Sequence, residues 1–416
     1  MTATAGAVRW LEPLWPGIAE LGPLDLARAE DFENALIQLL ATDPVGRGID
    51  AATRSARLRA IRQALAATGL LGLAVPARYG GCGHPPVLQA LLQFTCGYYD
   101  VDLRDSTGLG HGRLIADHAT PQVRDRWLPR LLAGAVPGIA ITEHHGGSQV
   151  HATRTSARPG PGGTWRVTGI KTWISRLTEA AAFCSFFISP AGGLTAAVID
   201  ASAPGLTRRL LTPSGLSGWA WGELHLHDVT VRPCDILGQP GDGMRLVREH
   251  FARYRPLVTA TALGAAAAAH DDVTTLLSRR LRGGTITRIR DNAYITLGRT
   301  YAQVNAALLA TIKATQLAES SHPSAFSWAC AVKAHGIDVA HQAVAELALL
   351  AGASAFVEDS RLAKAHDDLN ALQYADGIHD SLYRSAGRDL TALASPGNRD
   401  SAREPAPARK EAPVHA

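Results

Sequence analysis

Residues 138–175 decide the fold of this chain: they open with GIAITEHHGGSQV and, after a polar interval, close with WRVTGIKTWIS. In the first segment, a short apolar run breaks into histidine, glycine and serine. Small residues after an apolar strand let backbone N–H groups approach an anion closely, and Ser148 adds a hydroxyl donor. The first segment therefore predicts a strand followed by a loop that binds an anionic group.

The second segment alternates between apolar and polar positions, as a half-buried strand does. Within it, Trp173 and Ser175 suit a flat heteroaromatic ring that is stacked on one face and hydrogen-bonded at its edge. The alternative is two ordinary strands with a core tryptophan and a glycine turn.

Periodicity divides the chain into a helical, a β and a second helical region. Residues 1–137 read mainly as helices, and residues 138–237 show period-two runs separated by Gly, Pro and Ser turns, which predicts an antiparallel β domain. Ala- and Leu-rich helical patterns fill residues 238–394, and the longest helix is predicted over residues 329–351. The Pro-rich, polar residues 395–416 are predicted to be disordered.

Composition excludes several classes of protein. The 416 residues carry 41 basic and 37 acidic side chains, a balance that does not favour a nucleic-acid partner. We find no run near the roughly 20 apolar residues of a membrane span, and no signal-peptide pattern. Five scattered cysteines without CxxC spacing argue for the cytoplasm and against structural zinc. We therefore expect a cytoplasmic protein with no metal, membrane or nucleic-acid contact.

The order of regions, together with four motifs, resembles the acyl-CoA dehydrogenase family from about residue 58 to residue 388. The family's flavin-binding region reads roughly TEPxAGSD followed by GxKxWIT, and here TEHHGGSQ (residues 142–149) and GIKTWIS (residues 169–175) stand in those places. ARYGGCG and DILGQPGDGM resemble two further family loops. The resemblance implies an α+β fold with an N-terminal helical domain (1–137), a middle antiparallel β domain that binds flavin (138–237) and a C-terminal four-helix bundle (238–394).

The same resemblance implies a flavin cofactor and assigns its contacts. Thr142 would contact the pyrimidine side of the flavin, Ser148 its pyrophosphate, Trp173 would flank the ring and Ser175 would reach flavin N5. The other residues implied to bind the cofactor are Ile141, Gly147, Arg279 and Gly352.

The family's cofactor turn accepts the FAD of a neighbouring subunit, so a homodimer or homotetramer is expected. That turn departs from the family pattern here, because Leu349 replaces a glutamine and Ala353 and Ala355 replace glycines. FAD is the expected cofactor, and FMN or a weakly held flavin is the alternative.

The chemistry implied by the resemblance rests on QYADGIH, residues 373–379. Most of the family has IYEGT in this loop, with Glu as the base that removes the α proton of a thioester, and Asp376 aligns with that Glu. A carboxylate in an apolar pocket is a competent base because desolvation strengthens its affinity for a proton. The alternative is that Asp376 caps the following helix. Tyr254, Arg255 and Gly377 are implied to contact the substrate.

The resemblance therefore implies flavin-dependent α,β-dehydrogenation of an acyl thioester, either an acyl-CoA or an acyl group on a carrier protein. An electron-acceptor flavoprotein or oxygen would take the electrons. The departures at residue 376 and at the cofactor turn favour a specialised biosynthetic enzyme. Two alternatives remain open: a flavin monooxygenase on the same fold, and a non-catalytic homologue.

Overall fold

Helices flank a central sheet in the computed structural model, which describes residues 6–42, 44–45, 49–147, 149–357 and 359–394. The predicted phosphate donor Ser148 and the predicted disordered tail, residues 395–416, lie outside the described residues. The succession of helices, sheet and helices is confirmed.

The N-terminal region is helical, as predicted. Asp50 begins one of its helices, because its carboxylate accepts a hydrogen bond from the Thr53 N–H at 3.0 Å. The helical pattern over residues 114–132 forms two helices, because Pro121 disfavours helical backbone at Thr120, and the Thr120 hydroxyl caps the second helix. The helices are α1 (Val8–Leu11), α2 (Pro23–Thr42), α3 (Ala51–Ala67), α4 (Pro86–Tyr99), α5 (Arg113–His118) and α6 (Pro121–Leu132).

All the strands of the described chain join one sheet, in the order β6-β7-β3-β2-β4-β5-β8 with β1 beside β4. They are β1 (Val136–Ala140), β2 (Ser156–Pro159), β3 (Trp165–Ser175), β4 (Ala180–Ile188), β5 (Leu194–Asp200), β6 (Leu206–Leu211), β7 (Trp221–Val231) and β8 (Ile236–Leu237). Most pairs are antiparallel, but β1 and β2 both pair parallel to β4. These two strands pair with β4 and not with each other, and the segment between them, described over residues 141–147 and 149–155, contains no strand. That segment is the predicted anion loop.

Three long helices, α7 (Gly243–Arg282), α8 (Asp291–Glu319) and α9 (Ala325–Ala351), pack together after the sheet. The shorter helices α10 (Arg361–Leu372) and α11 (His379–Ala394) pack on α9. The prediction that residues 329–351 form the longest helix is wrong, since α7 has 40 residues and contains Pro256. Proline removes one helical hydrogen bond, but most of α7 is buried, and tertiary packing holds the helix through the proline.

Two glycines let α4 and α7 approach backbone to backbone. A Cβ atom at Gly97 would lie 1.8 Å from the Thr261 carbonyl oxygen, and one at Gly264 would lie 2.0 Å from the Phe94 carbonyl oxygen. Any larger side chain at either position would push the helices apart. This contact joins the first helical region to the last.

A buried cluster of charges holds α10 against the segment after α4. The Lys364 ammonium donates to Asp100, Asp102 and Asp368 at 2.7, 3.0 and 2.6 Å. These carboxylates lie close enough to share a cation, and the lysine occupies that position. The cluster fixes the helix that leads into the turn of Asp376.

The predicted domain boundaries at 137/138 and 237/238 stay predictions; the first strand begins at Val136 and the last ends at Leu237. In the part of the chain that the structure describes, every helix is too short or too polar to cross a bilayer.

Candidate active site

A buried ion pair anchors the loop after β1. Lys171 on β3 donates to the Glu143 carboxylate at 2.7 Å and to the Ile141 carbonyl at 2.8 Å. Glu143 also accepts from the backbone N–H groups of Arg154 and Thr155 at 2.8 and 3.0 Å. Burial disfavours the charged carboxylate, but the hydrogen bonds from Lys171 and Thr155 outweigh it and lower the pKa of Glu143 to about 2. The pair thus ties both ends of the loop to the sheet.

The predicted flavin contacts Ile141, Thr142 and Gly147 lie together along one shallow depression on this loop. The Thr142 carbonyl accepts from the Thr172 N–H at 2.9 Å, which sets the loop beside β3. Gly147 is exposed and carries no side chain to block the approach of a ligand. The lining also includes the larger side chains of Glu143, His145 and Gln149, and the binding of an anionic group by this loop stays a prediction.

Trp173 stands out on β3 because its side chain is 60% exposed and its backbone is left-handed, with φ +58°. The register of β3 against β7 shifts between Lys171 and Ile174, and a bulge of this kind re-aims a side chain. Left-handed backbone at residues other than glycine is concentrated at functional sites. Trp173 therefore offers an accessible ring two residues before Ser175, and the flavin contacts of both residues stay predictions.

Sequence reasoning missed Arg176, which lies at the centre of the site. It is buried, forms an ion pair with Asp105 and donates to the Ser175 hydroxyl at 2.6 Å. Its Nη2 atom is 3.5 Å from the Tyr254 hydroxyl. Burial opposes the charge, but Asp105, Tyr254 and Asp376 all act to raise the pKa of Arg176, so it is a cation. The available signal in the sequence was a charged residue, Arg176, directly after a largely apolar strand. Its ion-pair partner Asp105 could not be inferred because it lies 71 residues upstream.

Asp376 lies in the turn between α10 and α11 with left-handed backbone, φ +57°, and Gly377 follows with φ +115°. The Arg255 Nε atom donates to the Asp376 carbonyl at 3.0 Å. Helix α11 begins at His379, and the Leu382 N–H bonds to the Ile378 carbonyl, so Ile378 precedes the helix. Within the described ranges, no backbone N–H donates to the Asp376 carboxylate. The turn therefore lacks the hydrogen bond that a capping role requires.

A cleft of about 690 Å³ opens between the N-terminal helices and the long helices α7 and α8. Tyr254 lines it, with its ring stacked on His250 at 5.3 Å and 18°. His250 shares a 3.0 Å hydrogen bond with the buried His111. Burial lowers the pKa of both histidines, to about 3 for His250, so the wall is neutral there. The other polar residues of the lining are Gln89, Gln93, Thr107, Arg113, Arg253 and Glu319.

Three further residues were predicted to bind cofactor or substrate: Arg279, Gly352 and Arg255. Arg279 and Gly352 are both exposed, and Arg280 rather than Arg279 donates to the Ala351 carbonyl, at 3.0 Å. Arg255 is buried against the turn. The cofactor contacts of Arg279 and Gly352 and the substrate contact of Arg255 therefore stay predictions.

Three family profiles match the chain: the acyl-CoA dehydrogenase N-terminal domain over residues 40–135, the middle domain over 138–229 and the C-terminal domain over 241–390. A probable short/branched chain specific acyl-CoA dehydrogenase of Dictyostelium discoideum is 25% identical over 281 residues, 66% of this chain and 68% of that protein. The probable acyl-CoA dehydrogenase FadE10 of Mycobacterium tuberculosis is 28% identical, but the match covers 49% of this chain and 33% of that protein.

Among solved structures, the fold matches a glutaryl-CoA dehydrogenase of Mycobacterium smegmatis in complex with FADH2, with a TM-score of 0.79, 18% identity and coverage of 94% of this chain and 100% of that one. It also matches the prolyl acyl carrier protein oxidase AnaB, with a TM-score of 0.74, 19% identity and coverage of 89% and 99%. These likenesses agree with the three profiles, which together span most of the chain. The chain belongs to the acyl-CoA dehydrogenase family of flavin-dependent oxidoreductases.

Proposed function

We propose that this protein catalyses the FAD-dependent α,β-dehydrogenation of an acyl thioester. The observation that carries the proposal is that Arg176 interacts with residues from three parts of the site. It donates a hydrogen bond to Ser175, its guanidinium lies 3.5 Å from the Tyr254 hydroxyl in the cleft wall, and the negative charge of Asp376 helps to raise its pKa. Residues that the sequence separates by some 200 positions thus act on one guanidinium. The bound flavin would supply a two-electron acceptor for the β hydride.

The chain supplies the acid–base chemistry and the orientation of the substrate. The Asp376 carboxylate accepts the α proton, while the C–H bonds at the α and β carbons become the double bond of the product. In the described part of the chain, the Asp376 N–H has no acceptor, so it can donate to the thioester carbonyl and stabilise the charge that develops there. Burial raises the pKa of the Tyr254 hydroxyl, which keeps it a neutral donor in the cleft wall.

FAD is favoured over FMN, although the turn at Gly352 departs from the family pattern. The FADH2 in the Mycobacterium smegmatis structure supports a dinucleotide, and the glycines at 146 and 147 suit the approach of a phosphate to the backbone. A flavoprotein or oxygen would reoxidise the cofactor, and a cytoplasmic location remains part of the proposal.

The substrate is an acyl-CoA or an acyl group on a carrier protein, and the enzyme would serve a biosynthetic pathway. The prolyl acyl carrier protein oxidase supports the carrier-bound form. The cleft wall combines apolar residues with polar side chains that already have partners, such as Arg113 with Asp117 and Gln93 with the Arg104 carbonyl, so it can accept the apolar part of an acyl group.

The functional form is a homodimer or homotetramer. Leu349, Phe356 and Val357 surround the cofactor turn with side chains that are 82%, 93% and 53% exposed. Tyr294 and Ile295 on α8 are also more than half exposed. Exposed apolar surface on this scale favours burial against a second copy of the chain.

Replacing Lys171 with Met should weaken FAD binding. The variant leaves the Glu143 carboxylate buried without its ion partner, which should cost about 3 kcal/mol of folding free energy and loosen the cofactor loop. Urea unfolding and a fluorescence titration with FAD measure the two effects, and the exposed Lys313→Met provides the matched control. Wild-type FAD affinity in a folded Lys171→Met protein would contradict the assigned role of this loop.

Replacing Asp376 with Asn should leave FAD binding intact but slow the anaerobic bleaching of the flavin by a thioester by about 10²–10⁴-fold, because an amide cannot accept the α proton. Asp376→Glu should retain activity. Stopped-flow absorbance with CoA and carrier-protein thioesters measures the rates. Since Asn and Asp cap helices equally well, unimpaired bleaching in the Asn variant would refute the mechanism. A monooxygenase would instead need an external reductase and be indifferent to residue 376.

Light scattering at micromolar concentration should show a dimer or a dimer of dimers. A double change of Leu349 and Phe356 to Asp should shift the population towards smaller species, because charges are costly in an apolar interface. If the wild-type protein scatters only as a 43.9 kDa monomer, the proposed assembly is wrong.

A further inference from the structure

A buried lysine holds the turn that carries Asp376. Lys333 on α9 is completely buried, and its ammonium donates to the carbonyls of Leu372 and Gly377 at 2.8 and 2.7 Å, with the Gln373 carbonyl at 3.5 Å. Leu372 is the last residue of α10, where carbonyls lack helical partners and a cation is favourable. One side chain therefore caps α10 and fixes the far end of the turn.

The turn needs such support because its backbone is strained. Asp376 has a left-handed φ of +57°, which is unfavourable for a residue other than glycine and persists only when the surroundings determine it, whereas Gly377 adopts its φ of +115° freely. Arg255 on α7 holds the Asp376 carbonyl, and Lys333 holds the next one. Buried side-chain donors from two helices therefore fix two adjacent peptide groups.

Burying the Lys333 ammonium costs free energy that a side chain serving only to fill the core would avoid. In the described chain, no carboxylate lies within ion-pair distance of Lys333, and all its hydrogen bonds go to carbonyls of the turn. Burial lowers the pKa of Lys333 to about 7, and the charge of Asp376 opposes that shift. A methionine or leucine would fill the same space without this penalty. The presence of a lysine here is therefore better explained by its hydrogen bonds to the turn than by its packing in the core.

We propose that Lys333 is a positioning residue for the reaction: it fixes the turn of residues 372–377 so that the Asp376 carboxylate meets the α proton. This inference rests on the proposed function in one respect: it assumes that Asp376 is the catalytic base. A displacement of about 1 Å of a catalytic group can reduce the rate about a hundredfold. Lys333 thus acts on the rate without touching the substrate.

Lys333→Met removes all the donors and keeps a side chain of similar length. We expect flavin bleaching by the thioester to slow about a hundredfold, with little change in KM or in FAD affinity. Hydrogen–deuterium exchange should speed up in the peptide that covers residues 372–378. Lys333→Arg, which keeps the charge and donors, should restore part of the rate and of the protection. The exposed Lys313→Met serves as the matched control and should behave as wild type in both assays.

A double variant separates positioning from general damage. If Lys333 acts through Asp376, adding Lys333→Met to Asp376→Asn should cause no further loss of rate, because coupled residues are non-additive. A further loss, or wild-type rate and exchange in Lys333→Met, would overturn the proposal. If the wild-type protein fails to bleach with any thioester, the proposed function is wrong. Hydrogen–deuterium exchange of Lys333→Met then tests whether Lys333 fixes the turn. Faster exchange confined to residues 372–378 supports that role, and unchanged exchange refutes it.

Discussion

The buried ion pair between Arg176 and Asp105 is the interaction on which the site depends. Its guanidinium reaches three regions of the fold: Asp105 follows α4, Ser175 ends β3 and Tyr254 lies on α7. Removing one partner of a buried pair typically costs about 3–5 kcal/mol, because the other charge stays buried without compensation. Both helical regions and the sheet therefore contact the planar guanidinium of Arg176. Because its donors have fixed directions, this one group constrains how the three regions are arranged.

Three buried lysines show how different partners lead to different roles. Burial opposes the charge of Lys364, but three carboxylates raise its pKa, and it holds α10 in place. Burial lowers the pKa of Lys171 to about 8, and its one carboxylate partner, Glu143, anchors the loop after β1. Lys333 has only carbonyl partners and the lowest pKa of the three, about 7. The first two hold the scaffold, whereas the third holds the turn that would carry the chemistry.

Local patterns in the sequence predict much of this arrangement. Alternation in WRVTGIKTWIS identifies β3, but it breaks at Lys171 and Thr172, where the bulge leaves Trp173 exposed. The parallel pairing of β1 with β4 was not predictable, because register between distant strands leaves no local period. Arg176 and Lys333 were missed for the same reason: their partners lie 71 and about 40 residues away. Residues 329–351 were wrongly predicted to form the longest helix because tertiary packing holds α7 together through Pro256, and no local pattern reports that packing.

The measurement that tests the central role of Arg176 most directly is the rate of anaerobic flavin bleaching in Arg176→Lys. A lysine keeps the positive charge but cannot contact Asp105, Ser175 and Tyr254 at once, since it lacks the planar fork of donors. We expect a folded protein that binds FAD and bleaches about a hundredfold or more slowly than wild type, in line with the misplacement of reacting groups. Bleaching at the wild-type rate would show that the convergence on Arg176 does not organise the site.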